Sequence, residues 1–75
     1  MQIEFEPTHG GPILVIKAGT STAKHYGEVL GRIDVLQDKT AIYTNNAGAT
    51  LEFGEGVTLA EAQDVIEVGF KKGAH

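Results

Sequence analysis

The amino-acid sequence predicts an α+β fold, in which an antiparallel meander of four to five strands carries one C-terminal helix packed on one face. Residues 59 to about 72 place apolar side chains three and four positions apart, which is the pattern of an amphipathic helix. The residues before Thr58 alternate between short β-prone runs and turn-forming residues. The predicted order is therefore β-β-β-β-β-α, with short hairpin connections, in one small domain that spans residues 1–75.

The first two predicted strands differ in their apolar patterns. Residues 1–6 alternate apolar and polar side chains, as a half-buried strand does, and residues 7–12 form a turn. Residues 13–18 are apolar on both faces, which is typical of a central strand that is covered on both sides. One helix covers only one face of a sheet, so the other face must meet a loop or a second subunit. We predict a homodimer, or an apolar patch reserved for a partner.

The third predicted strand contains glycine. Gly27 and Gly31 each weaken a helix by roughly 1 kcal/mol, whereas Val29, Gly31 and Ile33 alternate as a strand does. We therefore predict a strand at residues 27–36, in which Gly31 is a bulge or a point of close approach.

A strong turn separates the last two predicted strands. Residues 45–48 (Asn-Asn-Ala-Gly) favour a turn because Asn and Gly tolerate positive φ. The strand before the turn covers residues 41–44, and the strand after it covers residues 49–53, with Leu51 and Phe53 on one face.

The helix has recognisable start and stop signals. Thr58 caps its first turn, Glu61 completes a capping box three residues later, and Gly73 ends the helix. We predict that sheet and helix pack through one apolar set, namely Phe5, Val15, Ile33, Leu51, Phe53, Leu59, Ala62, Ile66 and Phe70.

Composition limits the class of protein. The chain has no cysteine, so it forms neither disulfides nor thiolate metal sites. No apolar run approaches the ~20 residues of a membrane span, and the N-terminus lacks the features of a secretory signal. We therefore expect a cytoplasmic protein that has no membrane partner.

The formal net charge of −4 comes from ten acids against six bases. Nucleic-acid binders normally show the reverse balance, because neutralising phosphates supplies most of their affinity. We therefore expect no nucleic-acid partner. The acidity favours a protein partner, for example one with a basic surface, but solubility alone is the commoner explanation of an acidic domain.

The acids expected at a partner surface lie on the outer face of the sheet or in its turns. The helix acids are left out, because capping and the helix dipole explain them. The expected residues are Glu4, Glu6, Glu28, Asp34 and Asp38. Glu4 and Glu6 also have a structural explanation, since charges on an edge strand prevent pairing with another sheet.

An alternative site is the polar loop at residues 19–26. It resembles a phosphate-binding loop in having a glycine, hydroxyl groups and a lysine after a strand, but a P-loop needs a Lys-Ser or Lys-Thr pair and an immediate helix. Here Lys24 is followed by His25. The alternative prediction is a looser pocket for a small ligand or nucleotide, formed by Thr20, Ser21, Thr22, Lys24, His25 and Tyr26.

No catalytic or metal site is expected. Ser21, His25 and either Asp34 or Asp38 could supply a nucleophile, base and acid, but so small a chain has little room for a buried cleft. His9, His25 and His75 have no metal-ligand spacing. We therefore expect a protein that is not an enzyme and holds no cofactor.

The segments 31–34, 41–44, 49–53 and 58–62 resemble in style the small uncharacterised proteins of phages and other mobile elements. Many of those end with a hairpin and a helix that begins Thr-x-x-Glu-Ala, as residues 58–62 do here. The resemblance covers roughly the last forty-five residues and contains no diagnostic motif. It implies an accessory role, such as blocking a host enzyme or a defence system by binding.

These observations favour a small acidic protein-binding module without enzymatic activity, in its most specific form a phage-encoded inhibitor. The alternative is a small-ligand or nucleotide binder that uses the loop at residues 19–26.

Overall fold

The structure is a computed structural model that describes residues 2–72. The described residues form one antiparallel sheet in the strand order β1-β2-β3-β4-β5, followed by a helix. The elements are β1 (Ile3–Pro7), β2 (Ile13–Lys17), β3 (Val29–Val35), β4 (Ala41–Asn45), β5 (Thr50–Phe53) and α1 (Leu59–Lys71). The predicted α+β meander with one C-terminal helix is confirmed.

Several strand boundaries differ from the predicted ones by one or two residues, and two of these differences have a clear physical cause. Pro7, which was expected in a turn, is the last residue of β1, where proline is tolerated because β1 is an edge strand that pairs with β2 alone. Gly27 and Glu28, which were expected in a strand, precede β3. Gly27 has a φ of +90°, a left-handed conformation that suits glycine and interrupts a strand. The predicted helix stop at Gly73 lies outside the described residues.

The strand register sorts the side chains into two faces. We call the face that α1 covers the helix face and the opposite one the outer face. One row of paired residues crosses the outer face: Glu6, Leu14, Arg32, Thr44 and Thr50. The core lies on the helix face and consists of Val15, Ile33, Ala41, Tyr43, Phe53, Ala62, Ile66 and Phe70, all buried.

The helix packs through a stripe of residues that are four positions apart. Ala62, Ile66 and Phe70 are its buried residues, and complete burial of a side chain such as Ile66 stabilises the fold by about 1.5–3 kcal/mol. The capping box is present: the Thr58 Oγ1 accepts a hydrogen bond from the Glu61 backbone N–H (3.2 Å), and the Glu61 Oε1 accepts one from the Thr58 backbone N–H (3.3 Å).

Two residues predicted in the core are exposed instead. Leu51 is 41% exposed and Leu59 is 39% exposed. The reason is that α1 crosses the sheet diagonally. It starts just after the Phe53 end of β5 and reaches β1, where Glu67 and Lys71 lie beside Ile3. Leu51 stands at the other end of β5, and Leu59 in the first helical turn.

Gly31 is a point of close approach, one of its two predicted roles, and a bulge lies beside it at Leu30. Val15 pairs with Gly31 while Ile16 pairs with Val29, so Leu30 is an extra residue in β3. A Cβ atom at Gly31 would lie 2.6 Å from the Thr44 carbonyl oxygen and 2.7 Å from the Cε1 of Tyr43. The tight packing of the Tyr43 ring therefore requires glycine at this position.

The β4–β5 hairpin tip satisfies the carbonyl groups of this bulge. The Asn46 backbone N–H donates to the Leu30 carbonyl oxygen (3.1 Å), and the Asn46 Nδ2 donates to the Val29 carbonyl oxygen (2.7 Å). Within the hairpin, the Asn45 Oδ1 accepts from the backbone N–H groups of Ala47 (2.9 Å) and Ala49 (3.0 Å). Asn45 and Asn46 thus stabilise the turn that they were predicted to form.

The outer face of β2 is covered by the chain itself. Ile16 pairs with Glu4 on the outer face and is completely buried, although it is not part of the helix-face core. The loop between β2 and β3 folds back over this face. The evidence is that its residues 21–26 line one cleft together with Glu6. The two-sided apolar pattern is therefore explained by a loop, one of the two predicted covers. The homodimer stays a prediction.

No helix in the described part of the chain has the length and apolar character needed to cross a membrane.

Candidate functional site

A cleft lies on the outer face, between β1 and the β2–β3 loop. It is an open cleft of about 370 Å³ lined by Glu6 and residues 21–26, and we call it the outer-face cleft. It brings together residues of both predicted sites: Glu6 from the acidic set, and Ser21, Thr22, Lys24, His25 and Tyr26 from the loop set.

Thr20 closes the base of the loop and does not line the cleft. Its Oγ1 donates to the Lys17 carbonyl oxygen (2.7 Å) and accepts from the Glu28 backbone N–H (3.0 Å). Gly27 packs against this closure, since a Cβ atom there would lie 2.4 Å from the Thr20 carbonyl oxygen. Thr20 therefore has a structural role in the loop, and its predicted ligand role stays a prediction.

A tight turn shapes the tip of the loop. The Thr22 Oγ1 accepts hydrogen bonds from the backbone N–H groups of Lys24 and His25, each 3.2 Å long, and the Thr22 N–H donates to the His25 carbonyl oxygen (2.9 Å). The His25 Nδ1 accepts from the Gly27 N–H (3.1 Å), so the neutral ring carries its proton on Nε2. The loop is thus ordered by its own side chains.

Ser21, Lys24 and Tyr26 line the cleft with side chains that the loop does not use. Within residues 2–72 none of the three side chains makes a hydrogen bond or ion pair, and all three residues are exposed. The cleft therefore presents a hydroxyl, an ammonium and a phenol group opposite the Glu6 carboxylate. This set can bind polar or charged groups, but its exposure to water weakens each contact.

Glu4 and Glu6 point from the outer face of β1, two residues and so about 7 Å apart along the strand. Both are exposed, and neither belongs to an ion pair in the described part of the chain. Their charges are thus available to a partner.

The other three predicted acids are engaged within the chain. Glu28 lies 3.9 Å from the Lys17 Nζ, and the Asp34 carboxylate lies 3.1 Å from the Arg32 Nε. Asp38 accepts hydrogen bonds from the Thr40 hydroxyl (2.6 Å) and backbone N–H (3.0 Å), and these bonds lower the pKa of Asp38 below its ordinary value. None of the three lines the outer-face cleft.

The considered catalytic set is not assembled. Ser21 and His25 line the cleft, but Asp34 and Asp38 do not, and the carboxylate that does line it belongs to Glu6. Among residues 2–72 no three His, Asp or Glu side chains are grouped as metal ligands. His75 lies outside the described residues.

The sequence did not predict that Glu6 and the β2–β3 loop line the same cleft. The signal that could have revealed it is Ile16, an apolar residue on the outer face next to a polar loop long enough to fold back.

Comparison with protein-family models, curated proteins and solved structures found no match to this chain.

Proposed function

We propose that this chain is a small acidic protein-binding module without enzymatic activity, and that its contact surface is the outer face of β1 together with the outer-face cleft. The observation that carries the proposal is the availability of Glu4 and Glu6. Both are exposed and unpaired within the described residues, whereas Glu28, Asp34 and Asp38 have partners in the chain.

The chemistry of this surface suits a partner that has a basic patch. Glu4 and Glu6 attract lysine or arginine, and the half-exposed Tyr26 ring beside Glu6 offers a face on which a cation is stabilised. Lys24 offsets one of the two negative charges within the cleft. Charged groups of this kind speed association more than they tighten the final complex.

The resemblance to small proteins of phages and mobile elements makes inhibition of a host enzyme or defence system the form of protein binding to test first. The expected mechanism is occlusion, in which the module covers a basic functional surface of its target. A cytoplasmic location follows from this proposal, since such targets act in the cytoplasm.

The test compares two charge-reversed double variants. The Glu4→Lys/Glu6→Lys variant removes the proposed contacts, and Glu55→Lys/Asp64→Lys makes the same change in net charge at exposed positions away from β1. Proteins captured from bacterial lysate by the parent should be retained by the second variant and lost by the first. Association should also slow as salt rises beyond about 0.1 M, where charges are screened over ~10 Å. Equal capture by both variants would contradict the proposal.

The second candidate function is binding of a small ligand or nucleotide in the outer-face cleft. It is favoured by the cleft volume, about 370 Å³, which falls in the usual range for ligand sites, and by the five predicted loop residues that line it. Titration with AMP and ATP should then shift amide NMR signals of residues 21–26, and Lys24→Ala should abolish the shifts while Lys39→Ala should not. Shifts that do not concentrate in this loop would exclude this candidate.

A further inference from the structure

Strand β5 leaves one of its sides open, because in the described part of the chain it pairs with β4 alone. The Asn45 N–H donates to the Ala49 carbonyl oxygen (2.9 Å), which identifies a hydrogen-bonded pair at the start of the β4–β5 ladder. Such pairs alternate along an antiparallel ladder, so Leu51 and Phe53 bond to β4. The backbone N–H and C=O groups of Thr50 and Glu52 consequently point away from β4, toward the open edge.

Exposed apolar side chains accompany this open edge. Leu51 is on the helix face of β5, and Val65 and Val68 on α1 are 51% and 47% exposed. Glu67 and Lys71 lie on the flank of α1 that faces β1. Val65 lies on the opposite flank, which is therefore turned toward β5, whereas Val68 lies nearly opposite the buried stripe, on the side of α1 that faces away from the sheet. We call the edge of β5 together with Leu51 and Val65 the β5 strip.

We infer that the β5 strip is an interface with a second copy of this chain, formed by antiparallel pairing of the two β5 strands about a two-fold axis. When the axis passes through Leu51, Thr50 of each copy lies opposite Glu52 of the other. These are the residues whose backbone groups point outward. Each of the two pairs then exchanges two hydrogen bonds, so the second copy satisfies both backbone groups of Thr50 and of Glu52.

Charge excludes the register centred on Glu52, and apolar contact favours the axis at Leu51 over one at Thr50, which would set Leu51 opposite Ala49 instead of a second leucine. With the axis at Leu51, each Glu52 carboxylate lies beside a Thr50 hydroxyl, which can donate to it, and the two Leu51 side chains meet on the helix face. With the axis at Glu52, two carboxylates would lie directly opposite each other and repel. A self-complementary strand is the property that favours a second copy over an unrelated partner.

The same rotation gives a place to Leu59. It brings the first turn of α1 of the second copy to the corner where Val65 is exposed, because α1 begins beside the Phe53 end of β5. Leu59 of the second copy then covers Val65. A four-residue strand and a few side chains form a surface at the low end of interface sizes, so we expect a weak dimer with a Kd of about 10–100 µM.

The experiment is analytical ultracentrifugation of the parent from 5 µM to 1 mM, with amide NMR spectra over the same range. We expect a monomer–dimer equilibrium, with concentration-dependent shifts at residues 49–53, Leu59 and Val65. Leu51→Lys should weaken the dimer at least 20-fold, because it places two ammonium groups against each other. The matched control is Val35→Lys, which introduces the same charge at a residue 54% exposed on the helix face of β3. It should leave the Kd within threefold.

Thr50→Pro provides a second, uncharged variant, since it removes an outward N–H without touching the bonds to β4. It should also give a monomer, with circular dichroism confirming that the variant is folded. A parent that stays monomeric at 1 mM, or a dimer that survives both Leu51→Lys and Thr50→Pro, would overturn the inference. A dimer that Glu52→Gln tightens more than tenfold would overturn the register centred on Leu51. These results are independent of the proposed function, which uses the opposite edge of the sheet.

Discussion

Strands β1 and β5 lie at opposite edges of the same sheet, and they differ in what they present to the solvent. β1 carries Glu4 and Glu6 on its outer face and ends in Pro7, and the β2–β3 loop folds over the face beside it. β5 is only four residues long, carries one carboxylate and stands next to exposed apolar side chains. One edge is charged and partly covered, and the other is short and open.

Carboxylates on an edge strand disfavour those symmetric pairings with a second copy in which two of them would lie opposite each other. A two-fold axis at Glu4, Phe5 or Glu6 would in every case set a carboxylate opposite a carboxylate in a β1–β1 pair. The single Glu52 of β5 leaves the symmetric registers centred on Thr50 and on Leu51 free of such contact. The two carboxylates of β1 therefore disfavour its pairing with a second β1, whereas the one carboxylate of β5 still allows β5 to pair with itself.

The largest expected effect on stability distinguishes the buried stripe of α1 from its exposed flank. Ile66→Asp would place a charge without a partner in the core between the two edges, costing several kcal/mol and unfolding so small a domain. Val65→Asp, one residue earlier on the exposed flank, should cost less than about 1 kcal/mol. Thermal unfolding followed by circular dichroism measures both. An Ile66→Asp variant that melts within a few degrees of the parent would contradict the assigned core.

The next largest effect on stability is expected at Gly31, beside the bulge of β3. Gly31→Ala should destabilise the fold by about 1–3 kcal/mol, because its Cβ would approach the Thr44 carbonyl oxygen and the Tyr43 ring, neither of which can easily move. Gly54→Ala is the control, since a Cβ at Gly54 meets nothing within 4 Å. Urea unfolding gives the two free energies, and equal values would mean that the close approach is relieved at no cost.

Patterns of alternation and turn chemistry were sufficient to predict the sheet. The turn at residues 45–48, the capping box at Thr58 and the special role of Gly31 were all deduced from local sequence and are confirmed. In each case the physical cause lies within a few residues, either in a φ preference or in a side chain that bonds its own backbone.

The errors arose where the cause is tertiary. Leu51 and Leu59 were placed in the core because their spacing fits it, but the diagonal crossing of α1 leaves them exposed. Tyr43 and Ala41 were not assigned to the core, although both are buried. For the candidate sites, residue types identified the loop and the acids. Only the folded chain shows that Thr20 closes the loop, and that Glu6 meets Ser21 and Tyr26 across two elements.

A smaller effect appears at alkaline pH on the β5 side of the sheet. Burial raises the pKa of Tyr43 above its ordinary value of 10.0, so folding favours the neutral phenol. This contribution to stability is complete below pH 10 and is lost as pH rises through the raised pKa, by at most about 1.4 kcal/mol per pH unit. The unfolding free energy of Tyr43→Phe should therefore fall less steeply between pH 9.5 and 11 than that of the parent. Equal slopes for Tyr43→Phe and the parent in urea unfolding would contradict this contribution of the buried phenol.

The prediction with the smallest effect on stability tests whether Glu4 and Glu6 prevent β1 from pairing with a second β1. Glu4→Thr/Glu6→Thr, introduced together with Leu51→Lys to silence β5, should change the unfolding free energy by less than about 0.5 kcal/mol, because both acids are exposed. It should nevertheless create a new self-association, with concentration-dependent NMR shifts at residues 3–7, since threonine favours strand pairing and no carboxylates oppose each other. Glu55→Thr/Asp64→Thr in the same background controls for the lost charge. If the β1 variant stays monomeric at 1 mM, then Pro7 and the covering loop, rather than Glu4 and Glu6, keep this edge from pairing.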